Sequence, residues 1–373
     1  MVEVVPVEDA GTLKRFVRLP RTLYPPSSLW VSPLDRERIR FFDPGKNPFF
    51  RFADLQLFLA RDGNGRDVGR IAAIENRRQA EFEKRRTGVF GFFDSIDDPL
   101  VARALFDAAE GWLRARGLDV SQGPLNPSTN HECGLLVKGF DRPPRIQLTY
   151  NHPYYEKLIE GLGYRGVQDL VAYEYAVDGK IPERLFRARA VFEKRHSFTT
   201  RPIDLRKFGE EVEKLKLIYN EAWSENYGFV PLTGEEIDWI AREIRPIVKE
   251  DMVRFAEVKG ELAGVMLVIP DVNQALRPLR GKLLPFGWWK LLRGLGRIDA
   301  MRGMVMGVLP RFRKIGIDYA FYTEGLRVAH TRGYRTIELS WILAHNVELI
   351  HALERLEATE TKRYRLYEKA LCS

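Results

Sequence analysis

Residues 304–329 read MVMGVLP-RFRKIGID-YAFYTEGLRVA. Met304 to Leu309 is an apolar run, rich in Val and Met and of strand length. A basic loop with Arg311, Arg313, Lys314 and Gly316 follows it. Apolar residues then recur at helical spacing, at Tyr319, Tyr322, Leu326 and Ala329. The first amides of a helix have no partner inside it, and the helix dipole favours negative charge there. Gly316 lets the backbone approach an anion closely, and Arg313 and Lys314 add charge. Strand, basic loop and helix in this order make a site suited to a diphosphate, with Ile317 and Asp318 at its mouth.

Outward from this run, the chain repeats itself in outline. Residues 54–60 and 68–74 flank a turn containing Asp62-Gly63-Asn64-Gly65, and 252–258 and 262–269 flank Lys259-Gly260-Glu261. Both patterns predict β-hairpins. Each is followed by an apolar strand (89–93 or 304–309) and an amphipathic helix that stops at Gly117 or Gly333. A further strand, another helix and a terminal strand complete each half. This order predicts an α/β (α+β) protein with two similar folds in tandem, each a mixed, mostly antiparallel sheet flanked by helices, with a right-handed parallel crossover. The expected boundaries are a first domain at 1–180, a helical linker at 181–196 and a second domain at 197–373.

The halves differ where the basic loop should be. The first has Phe93-Asp94-Ser95-Ile96-Asp97-Asp98, whose carboxylates suit a helix N-terminus and repel phosphate. The anion site is therefore expected in the second half alone. Gly161, Gly163 and Gly166 match GxGxxG literally, but they close the helix expected at 154–160 and precede a strand. A dinucleotide fingerprint must instead open a helix, so no NAD site is predicted.

The chain has 373 residues, 45% hydrophobic and 12% aromatic, which describes globular domains with their own cores. Its two cysteines, Cys133 and Cys372, lie far apart without metal-ligand spacing, so neither a disulfide framework nor a metal site is expected. No signal peptide and no membrane span is read from the sequence, and a cytoplasmic location is expected. The formal charge of +8 suits anionic partners in general.

Pro310-Arg311-Phe312-Arg313-Lys314-Ile315-Gly316-Ile317-Asp318 resembles the CoA-binding loop of the GNAT acyltransferase superfamily, Arg/Gln-x-x-Gly-x-Gly/Ala. Arg313 and Gly316 fall on its first and fourth positions, and Asp318 stands where the pattern has Gly or Ala. The resemblance implies a donor that is acetyl-CoA or a longer acyl-CoA, held by Arg313, Lys314, Gly316, Ile317 and Asp318. Its pantetheine arm would lie in a gap between 304–309 and 336–342. A backbone amide near Val308 or Leu309 would polarise the thioester carbonyl. Asn346 matches an asparagine that contacts CoA in the family, and it equally suits a helix cap.

Acylating an amine requires removing a proton from a group with a pKa of about 10. Glu338, a carboxylate on an otherwise apolar strand that it shares with Ser340 and Trp341, is the first candidate base; Glu221 is the second. The leaving thiolate needs an acid. The family tyrosine position holds Leu353; His351 lies close by, Tyr364 and Tyr367 sit in the terminal strand, and the sequence assigns the acid to none of them. Trp223, Asn226, Tyr227 and Phe229 fall where GNAT folds cover the acceptor, and they can equally serve as core anchors.

Residues 275–298 form an insertion with Arg277, Arg280, Lys282, Lys290, Arg293 and Arg297 but no acid, interleaved with Leu, Phe286, Trp288 and Trp289. That composition fits an anchor on an anionic membrane, or a lid packed on the protein's own core. Leu outnumbers stacking side chains, so nucleic acid is not the expected partner. The whole chain also resembles bacterial two-lobed GNAT-like proteins, through Gly123-Pro124-Leu125-Asn126-Pro127-Ser128, Glu132-Cys133-Gly134 and Tyr150-Asn151-His152-Pro153-Tyr154-Tyr155. That resemblance implies an acyl-CoA-dependent N-acyltransferase acting on a small-molecule or lipid amine, including sphingoid-type amines, and the insertion would set it against the inner membrane face. The alternative is a non-catalytic acyl-CoA sensor or scaffold.

Overall fold

A computed structural model describes residues 2–177, 179 and 181–371; Cys372 lies outside them. Both hairpins form where their turns allow. Ala53–Arg61 pairs with Asp67–Asn76, and Val253–Val258 pairs with Glu261–Pro270. In the second turn Lys259 and Gly260 both take positive φ, 51° and 84°, the requirement of a turn whose twist matches its strands. The crossover helices Pro99–Arg114 and Ile317–Arg332 follow their strands. The second is closed by Gly333 in the left-handed region at φ 74°. Leu105 and Phe106 of the first pack on Phe90, whereas Ala320 and Phe321 of the second pack on Met266 and Val268.

The two halves share one continuous sheet. From one edge its order is Glu3–Pro6, Ala53–Arg61, Asp67–Asn76, Thr87–Ser95, Val120–Gly123, Thr359–Ala370, Arg165–Ala176, Thr336–Leu343, Ala300–Val308, Glu261–Pro270, Val253–Val258 and Phe198–Pro202. Along this order only two pairs are parallel, Thr87–Ser95 with Val120–Gly123 and Ala300–Val308 with Thr336–Leu343. The centre is an exchange. The terminal strand Thr359–Ala370 lies against Val120–Gly123 of the first half, and Arg165–Ala176 lies against Thr336–Leu343 of the second.

Helix Glu183–His196 falls within the expected linker and packs across the second crossover helix. Phe192 lies over Gly316, where a Cβ would sit 2.2 Å from its ring, and Arg189 bonds Glu324 at 2.6 Å. Gly161 caps the helix Tyr154–Glu160, so the GxGxxG string ends a helix. No helix among the described residues is long and apolar enough to cross a membrane.

Candidate active site

The parallel pair of the second half parts along its length. Register partners run from Ala300 and Thr336 to Gly303 and Leu339, and stop there. Residue 342 pairs instead with Val171, while Val305 to Val308 stay with Glu261–Pro270. At the point of parting, Leu267 faces Val305 and Val268 faces Gly303, so Met304 is the extra residue of a β-bulge. It has a register partner in neither neighbouring strand.

Cavities meet at this bulge. On one face of the sheet a slot of about 60 Å³, almost wholly apolar, lies beneath the crossover helix between Gly303, Val305, Leu339 and Tyr322. On the other, a cavity of about 210 Å³ is lined by Arg302, Met304, Val305, Tyr219, Trp223 and Trp341. It adjoins a third of about 580 Å³ between the halves, and both share Asn130, Gln147, Ile240, Ile244 and Met304 as walls. Val305 borders the slot as well as the first cavity, so the gap between strands has space on both sides.

Beside the gap lies a buried charge network. Glu338 has no exposed surface; it accepts Lys362 Nζ at 2.5 Å and Ser340 Oγ at 3.1 Å. Arg302 donates to Ser340 Oγ, the Ser340 carbonyl and the Ile146 carbonyl at 2.7–3.1 Å, with Trp341 stacked 4.9 Å away. Burial lowers the affinity of Arg302 for its proton, and the nearby Glu338 charge opposes that. Arg145 joins Glu174 and Asp271 at 2.6 and 3.2 Å. Three cations thus face three carboxylates, the balance that burial of ions requires. Glu338 reaches none of the three cavities. Its isolation on an apolar strand is explained by Lys362, 24 residues later on the neighbouring half of the exchange.

The other expected residues fall in distinct places. Trp223, Asn226, Tyr227, Phe229 and Trp341 line the 210 Å³ cavity, and Ser340 holds Arg302. The far edge of the Trp223 ring meets Gly307, whose missing side chain leaves room for it. Val308 and Leu309 end the strand, but the Leu309 amide already donates to the Ala263 carbonyl at 2.8 Å. The expectation of a free amide is therefore corrected at Leu309; Val308 keeps only its antiparallel partner Gly264, and Met304 has a register partner on neither side. Glu221 lies on the outside, half-exposed, in an ion pair of 2.9 Å with Arg311. Tyr367 sits in the first half's core, its hydroxyl 3.3 Å from Glu156, because the exchanged strand carries it there. Tyr364 is the terminal-strand tyrosine near the network, its buried hydroxyl without a partner beside Glu338, Arg302 and Cys133.

At the helix mouth, Gly316 takes φ 88° and Arg313 donates to the Ala222 carbonyl at 2.9 Å, pinning the 222–225 loop to the strand end. Arg313 also faces Glu225, and Arg311 faces Glu261, so both share their charge with carboxylates. Burial pushes the Asp318 carboxyl up, while the amides of Asp318 and Tyr319 pull it down; it thus stands at the amides a phosphate would use. Asn346 accepts the Leu349 amide at 3.2 Å and caps its helix.

Residues that sequence reasoning passed over complete the site. Arg302 was visible as the lone charge in an apolar strand, and its register partner is Glu338. His131 lines the largest cavity; Nδ1 meets Ser128 Oγ at 2.8 Å, and burial lowers its pKa to about 4, leaving a neutral imidazole. Asn130 joins the halves, accepting Tyr219 Oη at 3.0 Å and donating to the Val230 carbonyl at 2.8 Å.

The corresponding gap in the first half is filled. Partners run only from Thr87 and Val120 to Val89 and Gln122, so these strands part too. Here the chain itself enters. The Leu125 carbonyl lies 1.8 Å from where a Cβ on Gly91 would be, and Asn126 Oδ1 accepts the Phe92 amide at 2.6 Å. Asp94, opposite the basic loop's position, is buried against Arg70 at 2.8 Å and takes hydrogen bonds from Tyr24 and Tyr155.

Over nearly all its length the chain is 40% identical to the bacterial ceramide synthase of Caulobacter vibrioides (strain NA1000 / CB15N), covering 99% of this chain and 98% of that protein. It is 36% identical to Protein YghO of Escherichia coli (strain K12), over 97% and 94% of the two chains. Among solved structures, a tandem GNAT protein from the clavulanic acid biosynthesis pathway superposes with a TM-score of 0.58 over 100% of this chain and 99% of that one. At 13% identity that is a likeness of fold. No protein-family model matches the chain.

Proposed function

The chain belongs to the family that includes the Caulobacter bacterial ceramide synthase and has the fold of a tandem GNAT protein, and from that premise we propose that it transfers an acyl group from a CoA thioester to the nitrogen of a lipid amine. The observation that carries this reading is the open gap at Met304, with an apolar slot on one side and joined cavities on the other. A thioester arm fits the gap, and an acceptor with a long chain fits the cavities. A ceramide is an N-acylated long-chain amino alcohol, so the relative's name supports an acceptor of that class.

In this reading residues 197–373 carry the chemistry, 181–196 link, and 1–180 shape the acceptor side. The protein works in the cytoplasm, with the 275–298 insertion touching an anionic membrane. The amine nitrogen attacks the thioester carbonyl, the C–N bond forms, the C–S bond breaks, and the thiolate takes up a proton. The bulged backbone at Met304 faces the carbonyl oxygen, where an amide outside the ladder offers its hydrogen bond to developing charge. His131, on the acceptor cavity wall, is the base in the tautomer whose Nδ1–H donates to Ser128 Oγ and leaves the Nε2 lone pair free; it takes the amine proton once C–N bond formation has made that N–H acidic. Glu338 holds Lys362 in place by an ion pair and opposes the loss of charge that burial favours at Arg302. The Lys314 side chain receives the diphosphate at the helix mouth, and the first amides of the crossover helix join it once the Asp318 carboxylate swings off them.

The direct experiment incubates the protein with long-chain acyl-CoA and a long-chain amino alcohol, and reads thiol release together with the N-acyl product. Coupled release of both is expected. Donor binding without thiol release from any amine would favour the second reading, a non-catalytic acyl-CoA sensor, which draws its support from the Asp318 carboxylate at the helix mouth.

A further inference from the structure

The largest cavity is bordered by the insertion. Leu291 and Leu295 of helix Gly287–Leu295 line it. The helix is held by close packing, since a Cβ on Gly294 would sit 2.9 Å from the Ala275 methyl. Its apolar arc does not stop at the rim. Trp288, Trp289 and Leu292 continue it outward, and Leu284 and Phe286 just before the helix are 80% and 72% exposed. A lid packed on its own core would bury these side chains; here they face out together. Lys282, Lys290, Arg293 and Arg297 stand exposed around them. The segment holds no acid, and none of these four cations joins an ion pair among the described residues.

We infer that this surface docks on an anionic lipid bilayer and that the rim at Leu291 and Leu295 is the portal through which the amine lipid passes from the leaflet into the cavity. This rests on the acyl-transfer reading and names the route its acceptor takes. Exposed Trp, Phe and Leu beside unpaired cations match the two layers of such a surface, acyl chains below and anionic headgroups above. A long-chain amine loses its favourable environment if it crosses water, so a continuous apolar path from leaflet to cavity lowers that barrier. No covalent step is involved.

The test uses the full-length protein with vesicles of phosphatidylcholine alone or mixed equally with phosphatidylglycerol. Two acceptors are compared, a long-chain amino alcohol carried in the vesicles and a short water-soluble one. Wild type should float with the mixed vesicles and much less with phosphatidylcholine alone. Phe286→Ser, Trp288→Ser and Trp289→Ser combined should abolish flotation and lower turnover of the vesicle-borne acceptor about tenfold or more. Turnover of the soluble acceptor should stay within about twofold. Lys290→Glu with Arg293→Glu should remove only the preference for anionic vesicles. Flotation of the triple variant like wild type, or an equal fall with both acceptors, would overturn the portal. If wild type turned over neither acceptor, the acyl-transfer reading would fall, and flotation would still decide the docking surface.

Discussion

Two gaps between parallel strands, one in each half, lie at equivalent points in the sheet. In the second half Met304 bulges at the parting, and its neighbour Val305 borders empty space on both faces. In the first, residues 124–126 run into the gap and Asn126 satisfies the backbone there. The difference at the helix entrance runs in parallel: Arg313, Lys314 and Gly316 in one, Asp94 tied to Arg70 in the other. A duplicated frame therefore does not carry two sites. The contents of the gap decide which half can accept a ligand, and the filled half is free to build the cavity wall that carries His131 and Asn130.

The comparison breaks first at the network that holds the open gap in place. Lys362→Met leaves buried Glu338 with Arg145, 3.9 Å away, as its ion-pair partner and should cost about 3–5 kcal/mol in chemical denaturation. Adding Glu338→Gln should recover much of that loss, and no recovery would mean that the two do not act as a pair. Filling the open gap is the next largest change. Val305→Trp, at the residue bordering slot and cavity, should lower turnover at least about 100-fold, or ~2.7 kcal/mol of barrier, in a folded protein. Unchanged turnover would show that the gap is not the route. The reciprocal change is Asn126→Ala, which orphans the Phe92 amide. It should destabilise by about 1–3 kcal/mol in chemical denaturation, and wild-type stability would show that Asn126 does not hold the filled gap.

The smallest effect on stability is a pH dependence. His131 titrates near 4, below its ordinary 6.5, because burial disfavours its charged form; Glu132 opposes this shift and Arg38 adds to it. On acidification the unfolded chain takes the proton first. The stability tied to neutral His131 is thus complete above about pH 6.5 and lost as pH falls toward about 4. His131→Gln should flatten that slope in denaturation curves and lower turnover about 100-fold without weakening donor binding. A variant that keeps wild-type turnover would remove His131 as the base.

Much of the frame is legible along the chain, because hairpins, strand–loop–helix runs and glycine caps are local signals. The turn at Lys259-Gly260, the helix closed by Gly333 and the short helices of the insertion follow from a few neighbouring residues. The exchange of terminal strands is not local. Nothing near Tyr367 says that it enters the other half's core, and nothing near Glu338 says that Lys362 will face it. The bulge is likewise a property of register between strands, which is why the free backbone lies at Met304 and not at Leu309. The aromatic segment 223–229 was found by its place in the resemblance, and its residues line the cavity. His131 carried no spacing signal, since its surroundings come from Phe41, Phe49 and Arg38, far away in sequence.

The account is tested most directly by photolabelling with an acyl-CoA whose chain carries a diazirine near the thioester, followed by peptide mapping of the adducts. Label on Met304, Val305 or Trp341, suppressed by unlabelled acyl-CoA and absent from residues 90–126, is the predicted result. Label concentrated on the first half's gap, or scattered over the surface without competition, would contradict it.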